Sequence, residues 1–304
     1  MAELTSTRKF LNLNINELIK ALRCHQYAKN SLIFLPLILG HYFKLNYFLE
    51  TLLGFICFSL LASSVYLLND LIDVESDRLH PTKRNRPLAS GTLSIKSALI
   101  LIPTLFSLAF LIASLLSSLF QLSLIAYYLL TLSYSLVFKR KALVDVLVLS
   151  GLYSMRILAG MIILRTAYSD WLILFSLFFF TSLAFVKRYV ELSFAAQSGS
   201  NQKLPGRDYY PNQTQIISLF GITSGYLSTL IFALYINSDK AMVLYHHAKF
   251  LYFICPILLY WISYIWLEAN KGNVQDDPVV FALKDKTSYL ICFLIILIAI
   301  MATI

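Results

Sequence analysis

Long apolar segments alternate with short polar segments along the whole chain. A helix that crosses the roughly 30 Å hydrocarbon core of a bilayer needs about 20 apolar residues, and somewhat fewer when flanking side chains reach the interface. Nine segments meet this requirement, and no long polar or low-complexity linker separates them. Their predicted limits are 31–49, 52–72, 96–118, 121–138, 143–164, 169–190, 214–236, 247–267 and 287–304. The pattern predicts an all-α membrane protein in which a single domain, residues 1–304, contains nine transmembrane helices.

Residues 1–30 precede the first predicted span and are more polar. Asn14 can cap a helix that has Glu17 at its third position. Apolar residues then repeat at helical spacing, at Ile15, Leu18, Ile19 and Leu22. We expect this amphipathic helix to lie along the cytoplasmic membrane surface. Two roles are open for it, a topology anchor or a share in substrate binding.

Basic residues are distributed unevenly about the predicted spans. About 20 of the 25 Lys and Arg residues fall on one side, and cytoplasmic loops are where such residues accumulate. With nine spans, this asymmetry places the N-terminus in the cytoplasm and the C-terminus outside. Only 13% of the residues are charged, whereas soluble domains carry roughly a quarter, and the mean hydropathy is +0.70. Membrane topology therefore explains the net charge of +9, and we expect no nucleic-acid partner.

The second predicted span ends in a polar stretch that contains Asn69, Asp70, Asp73 and Asp77. On a continuous helix Asn69, Asp73 and Asp77 drift by only about 80° and Asp70 falls near the leading edge, so all four can face one cavity. Carboxylates this close repel one another at a membrane boundary unless a cation compensates them. Mg²⁺ prefers oxygen ligands and is commonly held by one or two carboxylates and substrate phosphates. We therefore predict that Asp70, Asp73 and Asp77 are metal ligands and catalytic residues.

Four cationic side chains follow the acidic stretch, at Arg78, Lys83, Arg84 and Arg86. Arginine can hold phosphate oxygens through two parallel hydrogen bonds, and lysine holds them as a point charge. These residues are candidates for binding the phosphate groups of a pyrophosphate-bearing substrate. The alternative is a charged cytoplasmic loop that serves topology alone.

Three further groups of residues are candidates with open alternatives. Arg156 is the one basic residue predicted to lie deep in a span, and Asp145 is about three helical turns away, too far to pair with it directly. Its partner is either a substrate phosphate or a carboxylate from another helix. Tyr134 and Lys139 flank a cytoplasmic loop and either bind substrate oxygens or anchor the interface. Asp276 and Asp277 precede a proline, which favours a turn over a metal pair.

The Asn-Asp-x-x-Asp-x-x-x-Asp motif at the end of the second span resembles that of the UbiA superfamily of intramembrane prenyltransferases. The likeness covers nearly the whole chain, and within the superfamily it is strongest to the decaprenyl-phosphate phosphoribosyltransferase branch. The supporting stretches are 23–30, 80–84, 134–135 with Lys139 and Asp145, and 187–192. The resemblance implies a UbiA-like bundle in a bacterial plasma membrane, with a polar cavity that faces the cytoplasm.

The sequence departs from the wider superfamily after the sixth span. Prenyl-diphosphate members carry a second Asp-rich motif there, whereas this chain has Lys187, Arg188 and the single carboxylate of Glu191. One acidic and one basic arm suit a substrate with an additional phosphate that no metal neutralises. The alternative is that Lys187 and Arg188 only end a helix at the cytoplasmic face.

The resemblance implies a reaction. Phosphoribose would pass from phosphoribosyl pyrophosphate to a polyprenyl phosphate such as decaprenyl phosphate, with Mg²⁺ as cofactor, the bilayer as the lipid source and pyrophosphate as product. The oligomeric state is left open. The predicted substrate-binding residues are Lys29, Asn30, Asn69, Lys83, Arg84, Arg86, Tyr134, Lys139, Arg156, Lys187, Arg188 and Glu191. The alternatives are prenyl transfer from a prenyl diphosphate to an aromatic or other acceptor, and a transporter or channel.

Overall fold

The computed structural model describes residues 15–79, 83–165, 168–197, 202–204, 206–274 and 277–304. All regular secondary structure within these ranges is helical. The chain divides into two compact units. Unit 1 consists of Met1–Ser135 and Ala159–Thr166, and unit 2 of Leu136–Leu158 and Ala167–Ile304. The single domain expected from the sequence stays a prediction.

Unit 1 is built around one long helix that carries the acidic motif at its C-terminal end. A 3₁₀ segment, Cys24–Phe34, and several shorter helices surround it. The α-helices in chain order are α1 (Ile15–Leu22), α2 (Leu35–Leu39), the long α3 (Leu45–Ile72), α4 (Val74–Leu79), α5 (Pro87–Ser90), α6 (Ile95–Ala113) and α7 (Ser118–Leu136).

Unit 2 contains the remaining helices, and the first of them ends in unit 1. They are α8 (Val144–Leu164), α9 (Asp170–Gln197), α10 (Thr214–Ile236), α11 (Asp239–Leu244), α12 (Ile254–Asn270), α13 (Pro278–Ala282) and α14 (Lys286–Thr303). Helix α10 packs closely on its neighbours because Gly221 and Gly225 lack side chains. A Cβ atom at Gly221 would lie 2.1 Å from the Trp266 ring. Small residues four apart are a common means of close helix packing in membranes.

Eight helical stretches in the described ranges are long and apolar enough to cross a membrane, and they correspond to the last eight predicted spans. They are Leu45–Ile72, Ile95–Ala113, Ser118–Arg140, Val144–Leu164, Asp170–Gln197, Pro211–Ile236, Ala248–Asn270 and Lys286–Thr303. A multi-pass membrane protein is therefore confirmed. The sidedness of the termini stays a prediction.

The first predicted span, 31–49, is not confirmed as a continuous helix. Its residues are divided between the 3₁₀ segment, α2 and the start of α3. Pro36 lies in the first turn of α2, and Gly40 follows the last residue of that helix. Proline inside a longer helix would remove a backbone donor and clash with the preceding turn, so a new helix begins here instead.

The 3₁₀ segment is packed into unit 1 by direct backbone contact. A Cβ atom at Gly160 would lie 2.2 Å from the carbonyl oxygen of Ile33, and Ile33 is fully buried. Near the acidic motif, a hydrophobic cluster joins α1, α3 and α5 through Ala21, Leu67 and Leu88. Burial of these side chains is favourable by roughly 25 cal/mol per Å² of apolar surface. It keeps the C-terminal ends of α1 and α3 together.

Candidate active site

Two buried carboxylates at the end of α3 and in α4 meet at one guanidinium group. Nη1 of Arg86 donates to Oδ2 of Asp77 at 2.7 Å and to Oδ1 of Asp70 at 3.1 Å. Asp70 is 4% exposed and Asp77 is 2% exposed. Arg86 immediately precedes α5, which packs in the hydrophobic cluster with α1 and α3. The tertiary packing thus directs two anionic side chains towards one cationic atom.

A second arginine reaches Asp70 from the N-terminal side of the chain. Nη2 of Arg23 lies 2.5 Å from Oδ1 of Asp70. The guanidinium group of Arg23 also lies over the Tyr66 ring, with 5.0 Å between Cζ and the ring centroid. The backbone of Arg23 is left-handed, with φ 52°, which is uncommon for a residue other than glycine. Arg23 lies in the stretch 23–30 that resembles the family, but no role in the site was predicted for it. No spacing links positions 23 and 70, because the packing of α1 on α3 creates their contact.

The carboxylate of Asp73 forms no hydrogen bond or ion pair with Asp70, Asp77 or Arg86 in the described part of the chain, although the backbone N–H of Asp77 donates to the Asp73 carbonyl oxygen at 2.8 Å. Helix α3 ends at Ile72, Asp73 follows it with φ −90° and ψ 4°, and α4 starts at Val74. The acidic stretch is therefore not one continuous helix, as its spacing suggested. Asn69 donates through its side-chain amide to Oγ of Ser135 at 3.0 Å.

The acidic cluster fits a magnesium ion by its chemistry. Asp70 and Asp77 offer oxygen atoms that already reach a single positive charge, the Nη1 atom of Arg86. Hard oxygen ligands of this kind suit Mg²⁺, which completes its coordination with water and substrate phosphates. Within the described ranges, no three His, Cys, Asp or Glu side chains are gathered into a metal-binding group. Coordination of Mg²⁺ by Asp70, Asp73 and Asp77 thus stays a prediction.

The other predicted binding residues of unit 1 lie in three places. Asn30 is buried in the 3₁₀ segment and donates to Oγ of Ser59 at 3.1 Å, and Lys29 beside it is half-buried. Lys83 and Arg84 are exposed in a short 3₁₀ turn, and Tyr134 is half-buried near the end of α7. Residues 80–82 of the predicted basic stretch lie outside the described residues.

Unit 2 contains a buried network of charged groups around Arg188, which is completely inaccessible. Nε of Arg188 donates to Oδ2 of Asp145 at 2.5 Å, and Nη1 donates to Oε2 of Glu191 at 2.5 Å. Asp145 is also fully buried, and it accepts a hydrogen bond from the Tyr209 hydroxyl at 2.7 Å. Arg188 therefore has intramolecular partners, and its role as a substrate ligand stays a prediction.

The segment before α10 covers this network with Arg207 and Tyr209. Nε of Arg207 lies 3.5 Å from Oε2 of Glu191, and Nη1 lies 3.7 Å from Oδ2 of Asp145. Burial and the hydrogen bond to Asp145 raise the pKa of the Tyr209 hydroxyl, so it remains a protonated donor. The formal charges of the two arginines, Arg188 and Arg207, equal those of the two carboxylates, Asp145 and Glu191. The predicted loop residue Lys139 accepts a hydrogen bond from Arg207 through its carbonyl oxygen, at 3.3 Å.

Arg156 lies in a second polar group of unit 2. It is 5% exposed, donates to the carbonyl oxygen of Leu152 at 2.5 Å, and covers the Tyr153 ring at 5.7 Å. The Tyr153 hydroxyl lies 3.4 Å from Oδ2 of Asp277, and Nζ of Lys187 lies 3.9 Å from the same oxygen. Asp277 caps α13, and Asp276 is outside the described residues. Asp145 pairs with Arg188, in agreement with its predicted distance from Arg156.

The described ranges contain eight apolar helices, one of which ends in an acidic cluster, and these features define a polytopic membrane protein. The UbiA prenyltransferase family profile matches residues 32–287. The chain belongs to this family of membrane transferases.

Several curated relatives cover most of the chain. It is 38% identical to the uncharacterized protein y4nM of Sinorhizobium fredii over 92% of its own length, and it spans 55% of that protein. It is 31% identical to nodulation protein NoeC of Azorhizobium caulinodans, over 90% of this chain and 89% of NoeC. It is 30% identical to decaprenyl-phosphate phosphoribosyltransferase of Mycobacterium tuberculosis, over 96% of this chain and 95% of that enzyme.

Solved structures agree in fold. A UbiA homolog from Archaeoglobus fulgidus bound to GPP and Mg²⁺ superposes with a TM-score of 0.68 at 15% identity, over 94% of this chain and 99% of that chain. The apo structure of a UbiA homolog from Aeropyrum pernix K1 gives a TM-score of 0.60 at 18% identity, over 90% and 95% of the two chains. The helical arrangement is therefore that of the UbiA fold.

Proposed function

We propose that this protein transfers 5-phosphoribose from phosphoribosyl pyrophosphate to a polyprenyl phosphate, with release of pyrophosphate. The observation that carries the proposal is the convergence of Asp70 and Asp77 on one cationic atom at the end of α3. Oxygen ligands placed in this way suit a magnesium–pyrophosphate group. The similarity to decaprenyl-phosphate phosphoribosyltransferases over nearly the full chain supports the choice of donor and acceptor.

The state of Glu191 supports a phosphosugar donor over a prenyl diphosphate. The family resemblance implies a second acidic motif near this position in enzymes that bind prenyl diphosphates. Here Glu191 is the one carboxylate retained, and Arg188 and Arg207 both contact its Oε2 atom. A single carboxylate supplies too few oxygen ligands for a second metal-binding arm, and the neighbouring Lys187 adds a cation that suits a phosphate.

The proposed reaction needs no general base. The acceptor phosphate is anionic at neutral pH, so one of its oxygens attacks C1 of the ribose as the bond from C1 to the pyrophosphate oxygen breaks. Bound Mg²⁺ would stabilise the charge that develops on the leaving pyrophosphate. Arg23 and Arg86 orient the carboxylates, and the exposed Lys83 and Arg84 supply cations for phosphate oxygens. The protein's main task is to hold two anions together.

The proposal is tested with purified protein in lipid nanodiscs, Mg²⁺, ribose-labelled phosphoribosyl pyrophosphate and decaprenyl phosphate. We expect label to enter the organic phase in step with pyrophosphate release, and chelation of Mg²⁺ to stop both. A parallel reaction contains a prenyl diphosphate and an aromatic acceptor. Label that stays in water while the prenyl diphosphate is consumed would replace the proposal with prenyl transfer. Turnover of neither donor pair would contradict both reactions.

Replacement of Lys187 with alanine is expected to raise the KM for phosphoribosyl pyrophosphate about tenfold, with a smaller change in kcat. Lys187 is 30% exposed, so its ammonium group is accessible to a donor phosphate, unlike the buried Arg188. The loss of one charge-assisted hydrogen bond, roughly 1.5–3 kcal/mol, corresponds to a factor of this size. Steady-state kinetics with varied donor measures it, and Lys284→Ala, at another exposed lysine, is the control. An unchanged donor KM would make Lys187 a topology anchor.

A further inference from the structure

Asp277 is a buried carboxylate that the proposed reaction does not use. It is 8% exposed and lies in unit 2 at the start of α13, and its two oxygen atoms have different partners. Oδ1 accepts a hydrogen bond from the backbone N–H of Val279 at 3.0 Å. Oδ2 lies 3.4 Å from the Tyr153 hydroxyl and 3.9 Å from Nζ of Lys187.

Helix capping accounts for only one of these oxygens. Serine, threonine and asparagine cap helices about as well as aspartate, so an N-cap needs no negative charge. A buried carboxylate is costly unless charged or hydrogen-bonding groups compensate it. The partners of Oδ2 supply that compensation, and one of them is the cation that the proposed function assigns to the donor. The charge of Asp277 thus has a consequence for Lys187.

Asp277 attracts the ammonium group of Lys187 across a distance that is longer than a direct hydrogen bond. Direct charge-assisted hydrogen bonds from nitrogen to oxygen are about 2.7–2.9 Å long, well below the 3.9 Å found here. The cap holds one oxygen of Asp277, and Tyr153, which contacts the other, stacks on Phe180 with 4.8 Å between ring centroids. The Lys187 side chain is 30% exposed. The buried carboxylate therefore attracts a partly exposed ammonium group and limits where that group can go.

We propose that Asp277 is a positioning residue, which holds the ammonium group of Lys187 in place to receive a phosphate of the donor. This inference rests on the proposed role of Lys187 in donor binding. It assigns to the segment before α13 a part in substrate affinity, although Asp277 itself need not touch the substrate. A purely structural role for Asp277 would leave the donor KM unchanged when its charge is removed.

The test is a double-mutant cycle with Asp277→Asn, Lys187→Met and the double variant. Asparagine keeps the cap and removes the charge. We expect Asp277→Asn to raise the donor KM about fivefold with kcat within twofold of wild type, and to have no further effect when Lys187 is already methionine. Asp285→Asn is the matched control, because Asp285 also caps a helix, α14, and forms no ion pair with a described Lys or Arg. The control is expected to leave donor KM unchanged.

The result can be separated from the identity of the donor. Donor KM is measured with whichever of phosphoribosyl pyrophosphate and a prenyl diphosphate the wild-type protein turns over, and that choice decides the proposed function alone. An unchanged or lower KM in Asp277→Asn would overturn the positioning role, as would an equal rise with and without Lys187. Thermal unfolding of each variant measures any loss of fold stability, so a rise in donor KM at an unchanged unfolding temperature reports positioning.

Discussion

Replacement of Asp73 with asparagine is expected to lower turnover at least about 100-fold while the protein stays folded and inserted. Charge stabilisation by a bound metal is worth several kcal/mol, and each 1.4 kcal/mol changes a rate tenfold. Asp73 is the acidic position whose replacement tests metal binding most directly, because its side chain holds no other described group in place. Asp70 and Asp77 both bind Arg86, so their replacement also disturbs the packing of that arginine. Single-turnover assays of phosphoribose transfer measure the effect.

Glu75→Gln is the matched control for this prediction. Glu75 is an exposed carboxylate in α4, two residues from Asp73, and its replacement removes the same charge without touching the proposed ligands. Its turnover is expected to stay within about twofold of wild type, as for surface substitutions in general. Normal turnover in Asp73→Asn would remove Asp73 from the metal site. Equal losses in both variants would indicate a general electrostatic effect.

Replacement of Asp145 with alanine is expected to destabilise the protein by about 3–5 kcal/mol. The change leaves the guanidinium group of Arg188 fully buried with one of its two carboxylate partners missing, and breaking a buried ion pair in this way is strongly unfavourable. The Tyr209 hydroxyl loses its acceptor as well. The free energy of unfolding in mixed micelles, followed by circular dichroism, measures the loss.

A second substitution tests the physical reason. In Asp145→Ala with Arg188→Met the buried positive charge is gone, so the double variant is expected to be more stable than the sum of the two single changes. Asp208→Asn is the control, because Asp208 pairs with Lys203 at a half-exposed surface site where ion pairs contribute about 0–1 kcal/mol. Strict additivity would show that the two residues do not stabilise each other.

Much of the fold follows from the apolar pattern, since a bilayer imposes a minimum helix length that composition alone can reveal. Eight predicted spans match helices of the right length. The span 31–49 failed because hydropathy alone does not register backbone geometry. Pro36 and Gly40 set helix limits inside an apolar stretch, and close contact between Gly160 and Ile33 stabilises the resulting 3₁₀ conformation.

The candidate site divides in the same way. Helical spacing identified Asp70 and Asp77 as neighbours, and the structure brings both to one guanidinium group. Helical spacing did not reveal that Arg23 contacts Asp70, 47 residues away in the sequence, or that Arg188 pairs with Asp145 and Glu191. Two adjacent basic residues also have different environments: Arg188 is buried in an ion-pair network, whereas Lys187 remains partly exposed beside Asp277.

The sequence by itself determined the membrane class, the family and the position of the acidic motif, because these depend on local composition and on spacing along a helix. Only the tertiary structure decided which charged groups neutralise one another. In a membrane protein each buried charge needs a partner from some other segment, and hydrophobic packing selects that segment from all those available. The packing of α1 and α5 against α3 brings two arginines to Asp70, and the buried Arg188 forms an ion pair with Glu191.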